Sequence, residues 1–246
     1  MPDPTQPTSQ PTLFATTRWT IIRDAAHGGD TLAVEALGSL VRTYWQPLYR
    51  YARRKGKAPE DAEDLVQGFL AHVIEARALR KTDPSKGRFR AFLLASFRNW
   101  MINDWKRGTR EKRGGGAVPL SFDWQSAETG LRLEPADEQS PDKLYDREWA
   151  LALLGKVLAD LEATCRAEAG AAQFEALKPC LTADSVRIPY ADLARQLDTT
   201  ESAARVAVHR LRKRYRHLLT QEISRTLASP DAVEEEMRSL FVALAS

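Results

Sequence analysis

Cysteine is nearly absent from this 246-residue chain, with Cys165 and Cys180 as its only two. Neither lies in a CxxC or His-rich neighbourhood, which excludes a disulfide framework and a zinc site. Both thiols are expected as small buried hydrophobes. Long apolar runs are missing too: nothing approaches the ~18 residues of a bilayer-spanning helix. The opening MPDPTQPTSQPT has neither the basic start nor the apolar stretch of a signal peptide. A cytoplasmic protein without membrane insertion is the expectation. The acids Asp61, Glu63 and Asp64 have no His, Lys or second carboxylate cluster beside them at ligand spacing, so neither a metal, a cofactor nor an enzyme is expected. Strand-like alternation is also lacking, which leaves an all-α fold.

Charge of both signs is abundant, but it is partitioned. The net +3 conceals 20 Lys and Arg against 12 Asp and Glu in residues 1–113, a balance of +8. Residues 114–142 carry 1 against 6, a balance of −5, and residues 143–246 carry 15 of each. Within that neutral part, Arg205 to Arg216 holds six basic residues and no acid. Clustered positive charge suits phosphate, since each neutralised phosphate releases condensed counterions. A solvated helix face explains one such run. It explains two less well, when each sits on an element suited to reading DNA.

Composition predicts two small helical domains joined by an acidic flexible linker, the second containing a helix-turn-helix. Residues 1–15, rich in Pro, Thr and Gln, are expected to be a disordered tail. A domain over 16–113 follows. Its first helix starts near Thr16 or Thr17 with Trp19, Ile21 and Ile22, and its second carries Leu37, Leu40, Val41, Tyr44 and Trp45 until Pro47 ends or kinks it. The third, from Pro59 to Ala78, opens on acids that its helix dipole favours and buries Leu65, Val66, Phe69, Leu70 and Val73. After Asp83-Pro84, the fourth buries Phe89, Phe92, Leu93 and Phe97. Gly114 to Gly116 stops it. Residues 114–142 read as a linker anchored by Leu120, Phe122 and Trp124. Residues 143–228 form the second domain, and 229–246 a C-terminal amphipathic helical extension striped with Val233, Met237, Leu240, Phe241 and Leu244. Packing on the second domain and docking to a partner are both open to that extension.

Near residue 190 the pattern becomes a helix-turn-helix. Tyr190, Leu193, Ala194 and Leu197 line one helix, Asp198 to Thr200 makes the turn, and Thr200 is suited to cap the next helix. There Ala204, Val208, Leu211, Tyr215 and Leu218 take the core positions. Glu201, Ser202, Arg205, His209 and Arg212 are left as an exposed strip, with Ser202 and Arg205 at the end that reaches base edges. Arg210, Lys213, Arg214 and Arg216 suit phosphates.

Taken in order, YWQPLYRYARRKG (44–56), DAEDLVQGFLAHVIE (61–75), FRAFLLASFRNW (89–100) and this hairpin resemble the extracytoplasmic-function sigma factors of bacterial RNA polymerase, in the sigma-70 family. The resemblance spans about 17–220. It implies core RNA polymerase and promoter DNA as partners. The family's Asp-Leu-x-Gln motif, which docks on the polymerase clamp, falls on Asp64, Leu65 and Gln67, with Asp61 a turn earlier. The next helix resembles the segment that recognises and melts the −10 element, a task needing basic and aromatic surface for unstacked bases. Arg98, Asn99, Trp100, Asn103, Trp105, Lys106, Arg107 and Arg110 are its candidates, although Trp100 also suits the core. The hairpin resembles the region that reads the −35 element, through Thr200, Glu201, Ser202, Arg205, His209, Arg210, Arg212, Lys213 and Arg216. Asn103 stands where the family often has Asp, Asp198 where Gly is frequent, and Ala207 where a polar residue is frequent. The acidic linker suits a path through the positively charged polymerase channel, or a plain solvated spacer. An anti-sigma factor or other regulator fits the resemblance. An autonomous helix-turn-helix regulator with an N-terminal sensing domain is the competing reading.

Overall fold

The computed structural model describes residues 31–75, 88–108, 122–133, 139–182, 188–225, 227 and 232–245. Among the described residues there are nine α-helices, one short 3-10 turn and no strand, so the fold is all-α as the sequence predicts. The helices are α1 (Thr31–Arg54), α2 (Pro59–Glu75), α3 (Phe89–Gly108), α4 (Trp124–Leu133), α5 (Pro141–Ala169), α6 (Ala171–Leu177), α7 (Tyr190–Gln196), α8 (Glu201–Ser224) and α9 (Val233–Ala245), with the 3-10 turn at Lys178–Leu181. None is long and apolar enough to cross a membrane. The expected 1–15 tail, the helix around Trp19, the Asp83-Pro84 turn and Gly114 to Gly116 lie outside the described residues.

Two apolar clusters organise these helices. The larger takes Leu40, Tyr44, Leu48 and Tyr51 from α1, Leu65, Val66 and Phe69 from α2, and Phe89, Leu93 and Phe97 from α3. It also takes Tyr145, Trp149, Leu153 and Val157 from α5, Leu219 and Ile223 from α8, and Leu240 from α9. The smaller joins Leu161, Phe174, Leu177, Cys180, Ile188, Leu193, Ala204, Val208 and Leu211. The expected division at residues 142 and 143 does not separate these cores, which instead divide within α5 and within α8. The reason is periodicity: Tyr145, Trp149, Leu153 and Val157 repeat every four residues, and this stripe covers the face of α1 that α2 leaves open. Trp149 is 1% exposed, and its Nε1 donates to the Tyr44 hydroxyl at 3.1 Å.

Two further local expectations change. Pro47 neither ends nor breaks α1, which continues to Arg54 with Pro47 buried. The acidic segment is not wholly a flexible linker, because residues 124–133 form α4. Asp123 caps that helix by accepting from the Ser126 amide at 3.0 Å. Phe122 stacks on Trp45 at 5.0 Å, and Trp124 meets Trp45 edge-on at 5.1 Å, so two of the expected anchors do hold this segment. The C-terminal extension is helical and packs on α5 and α8, with Leu240 fully buried.

Candidate nucleic-acid interface

Helix α2 separates its apolar and polar residues cleanly. Ala62, Leu65, Val66, Phe69 and Leu70 face the core, whereas Asp61 and Asp64 are exposed and Gln67 is half-buried. Leu65, at 4% exposure, is internal, so of the Asp-Leu-x-Gln residues only Asp64 and Gln67 reach the surface. The neighbouring Glu63 carboxyl is pushed up by burial and by the nearby Glu60, Asp64 and Glu128 carboxylates. This face is therefore densely acidic, suited to a basic or amide-rich partner.

The far end of α3 carries the next set. Asn99 and Asn103 are exposed, as is Ile102 at 54%. Trp100 is half-buried: its ring lies 5.0 Å from the His72 ring, nearly parallel, and 6.2 Å from Phe69. Gly68 makes room for it, since a Cβ there would sit 3.4 Å from the indole. Trp100 thus packs α3 on α2 while keeping part of its indole exposed beside His72. Arg98 is not a free cation here. Its Nε donates to the Tyr51 hydroxyl at 2.9 Å and its guanidinium pairs with Asp142 of α5, and these contacts hold its pKa above the ordinary arginine value. Trp105, Lys106 and Arg107 fall within α3, but their side chains, and Arg110 with its basic neighbours, lie outside the described residues.

The hairpin of α7 and α8 follows its sequence cues closely. Asp198 takes φ +48° in the turn, the left-handed conformation that Asp tolerates better than most residues. The Thr200 hydroxyl caps α8 by accepting from the Ala203 amide at 3.2 Å. Ala204, Val208 and Leu211 are buried against α7, while Glu201, Ser202, Arg205, His209, Arg210, Lys213 and Arg216 are exposed. Arg205 is braced on this face, with its guanidinium 4.1 Å over the Tyr190 ring and 3.9 Å from Glu201. Arg212 departs from the exposed strip: it is half-buried and its Nε donates to the Cys180 carbonyl at 2.9 Å, tying α8 to the 3-10 turn. Arg214 is paired in fork geometry with Glu168 of α5, at 2.5 and 2.6 Å. Cys180 is buried and Cys165 half-buried, and burial raises both thiol pKa values.

Several polar side chains that position these surfaces escape a sequence reading. Arg90 is 4% exposed, its Nε 2.9 Å from Asp146, its guanidinium 4.3 Å over the Trp149 ring and paired with Glu236 of α9. Burial pushes the Glu236 carboxyl up against the pull of Arg90 and Arg88. Arg50 and Arg54 both reach Glu148 of α5, at 2.7 and 3.3 Å. Glu128 of α4 accepts from Arg53 and from the Tyr49 hydroxyl at 2.8 to 2.9 Å. Only one signal pointed to any of these, the three-acid run Glu234 to Glu236 opening the tail helix. The rest are long-range pairings that local spacing does not encode.

Neither a curated protein nor a solved structure matches the chain. A family match does exist, and it runs from Leu40 in α1 through the acidic face of α2 and the aromatic end of α3. Residues 40–111 match Sigma-70 region 2, and that part of the chain is thereby similar to the region 2 domain of sigma-70 family sigma factors.

Proposed function

We propose that this protein is a promoter-specificity subunit of bacterial RNA polymerase, of the extracytoplasmic-function type. The observation that carries the reading is the coincidence of the region 2 match over 40–111 with exposed Asp61 and Asp64 and half-buried Gln67 on the polar face of α2, and with exposed Asn99 and Asn103 on α3. Asp61, Asp64 and Gln67 dock on core polymerase, with Leu65 supporting them from the core side. The end of α3, with Asn99, Trp100, Asn103, Trp105, Lys106, Arg107 and Arg110, captures unstacked bases of the −10 element. Such melting needs no catalytic group, only tighter binding of single-stranded than of paired bases. Arg98 joins that surface once released from Asp142. The α7–α8 hairpin is the −35 reader: Ser202 and the braced Arg205 lie at the helix end that meets base edges, with Thr200 and Glu201 at the cap. His209, Arg210, Lys213 and Arg216 lie along the phosphate track.

The test is capture of bacterial core RNA polymerase by the purified protein, wild type beside Asp64→Ala and Gln67→Ala, followed by run-off transcription. Stoichiometric capture that both substitutions weaken, with transcripts from defined start sites, is the expected result. Specific duplex binding without polymerase capture would instead assign the protein to the autonomous helix-turn-helix regulators.

A further inference from the structure

Among the described residues, the ion pairs that join residues 31–108 to residues 141–245 share one polarity. Arginines come from α1 and α3, and acids come from α5 and α9. Arg50 and Arg54 meet Glu148, Arg98 meets Asp142, and Arg90 meets Asp146 and Glu236. Arg88 completes the set, its Nη2 2.8 Å from Glu235, its Nε 2.9 Å from Glu236, and its Nη1 donating to the Ser239 hydroxyl at 2.8 Å. Arg90 donates to that same hydroxyl at 2.8 Å. Ser239 thus bridges two arginines of the α3 entry, and α9 lies across the junction of α5 and α8. Because Leu219 and Ile223 of α8 share a core with Phe97 of α3, the candidate −35 helix is held in one fixed orientation to the candidate −10 helix.

That closed arrangement conflicts with simultaneous contact to both promoter elements. Their nominal separation is about 25 base pairs, which at 3.4 Å per pair is roughly 85 Å of duplex. A packed chain of 246 residues has a radius of gyration of about 18 Å, hence a body roughly 45 Å across. We propose that α9 is a clasp: through Glu235, Glu236 and Ser239 on Arg88 and Arg90 it keeps the free protein closed, and its release with α5 lets the two DNA-reading surfaces separate on core polymerase. This inference rests on the sigma reading for what opens the clasp, but not for the clasp itself. Pairs that bury arginine and carboxylate together lose much hydration, so a closed state held by them can be displaced by a partner offering equivalent contacts.

The experiment places spin labels on Ala95→Cys and Ala203→Cys, both exposed, in a Cys165→Ser/Cys180→Ala background of the full chain. Distances are recorded for the free protein and with bacterial core RNA polymerase. The free protein is expected to give one narrow distribution within the roughly 45 Å body. Arg88→Glu, which sets a carboxylate against Glu235 and Glu236, is expected to convert most of that population to a broad, longer distribution and to raise amide exchange in α9 at least about tenfold. Adding Glu235→Arg is expected to restore the narrow distribution, which separates clasp opening from misfolding. Core polymerase is expected to lengthen the wild-type distance beyond about 50 Å, outside the closed body. A broad distribution in the free wild type, or a short distance retained on polymerase with α9 still protected, would overturn the clasp. If polymerase is not captured while the response to Arg88→Glu and its reversal persists, the sigma reading fails and the closed state stands.

Discussion

Glu128 gathers three side-chain donors on one carboxylate. Arg53, Tyr49 and Arg132 all donate to it, with Arg53 the largest cause, and its pKa is lowered to about 2. Tyr49 responds in the opposite sense, pushed up to about 12 by burial and by this carboxylate. A carboxyl depressed in the folded state contributes stability that is complete above its unfolded value and is lost as pH falls through the folded one. Docking of α4 on α1 is therefore expected to weaken between roughly pH 4.5 and pH 2, followed by fluorescence of the Trp45 and Trp124 pair. Glu128→Gln should remove most of that dependence and cost about 2 kcal/mol at neutral pH, measured by urea unfolding. Trp149→Ala should cost about 4 kcal/mol, since it empties a large volume between α1 and α5 and strips the Tyr44 hydroxyl of its donor. Trp149→Phe, which keeps the packing but not the donor, should cost roughly half as much. Neither Glu128 nor Trp149 was legible as a tertiary hub, because the tertiary partners Arg53 and Tyr49 of the one and Tyr44 of the other lie 75 or more residues away.

At the scale of elements, the α7–α8 hairpin was readable almost residue by residue because its determinants are local. A capping hydroxyl, a residue that tolerates positive φ and a three- and four-residue apolar repeat all act within a few positions. Thr200→Ala is expected to lower stability by about 1 kcal/mol and to fray the first turn of α8, visible as faster amide exchange at Ala203. Asp198→Val should cost about 1–2 kcal/mol through its left-handed backbone, whereas Asp198→Gly should be near neutral. Helix α4 was hidden for the opposite reason. Its ten residues include Gly130 and one charge of each sign and are weakly helical alone, and they form a helix because Trp45 and Tyr49 supply an aromatic floor. Pro47 misled because tertiary burial of the surrounding Tyr44, Leu48 and Tyr51 outweighs the backbone hydrogen bond that proline forgoes.

For the whole molecule, helices α5 and α8 each contribute to both apolar clusters, and this shared membership governs cooperativity. Urea unfolding is expected to be a single transition, with far-UV dichroism and tryptophan fluorescence coincident, where two domains on a flexible tether would give two. The charge partition did not foretell the interaction between halves: the +8 balance of residues 1–113 was visible, but as charge suited to phosphate. Its pairing with acids of α5 and α9 required the fold, since residues 143–246 are neutral in sum. The outward placement of Asp61, Asp64 and Gln67 on α2 was legible, since amphipathic spacing alone sets these polar residues away from the core.

The division of the cores inside α5 also bears on how this protein can be recombined with its relatives. A chimera joined at residue 142 would mate the α1 face of one parent with the Tyr145, Trp149 and Leu153 stripe of another, and would leave Arg90 facing foreign acids. A crossover between Val157 and Leu161 in α5 would part the stripe from the smaller cluster instead, but α8 would still return to the first core through Leu219 and Ile223. Exchange of Leu161 to Leu211 as one segment is the graft that carries the buried residues of the smaller cluster whole and leaves those of the larger one untouched.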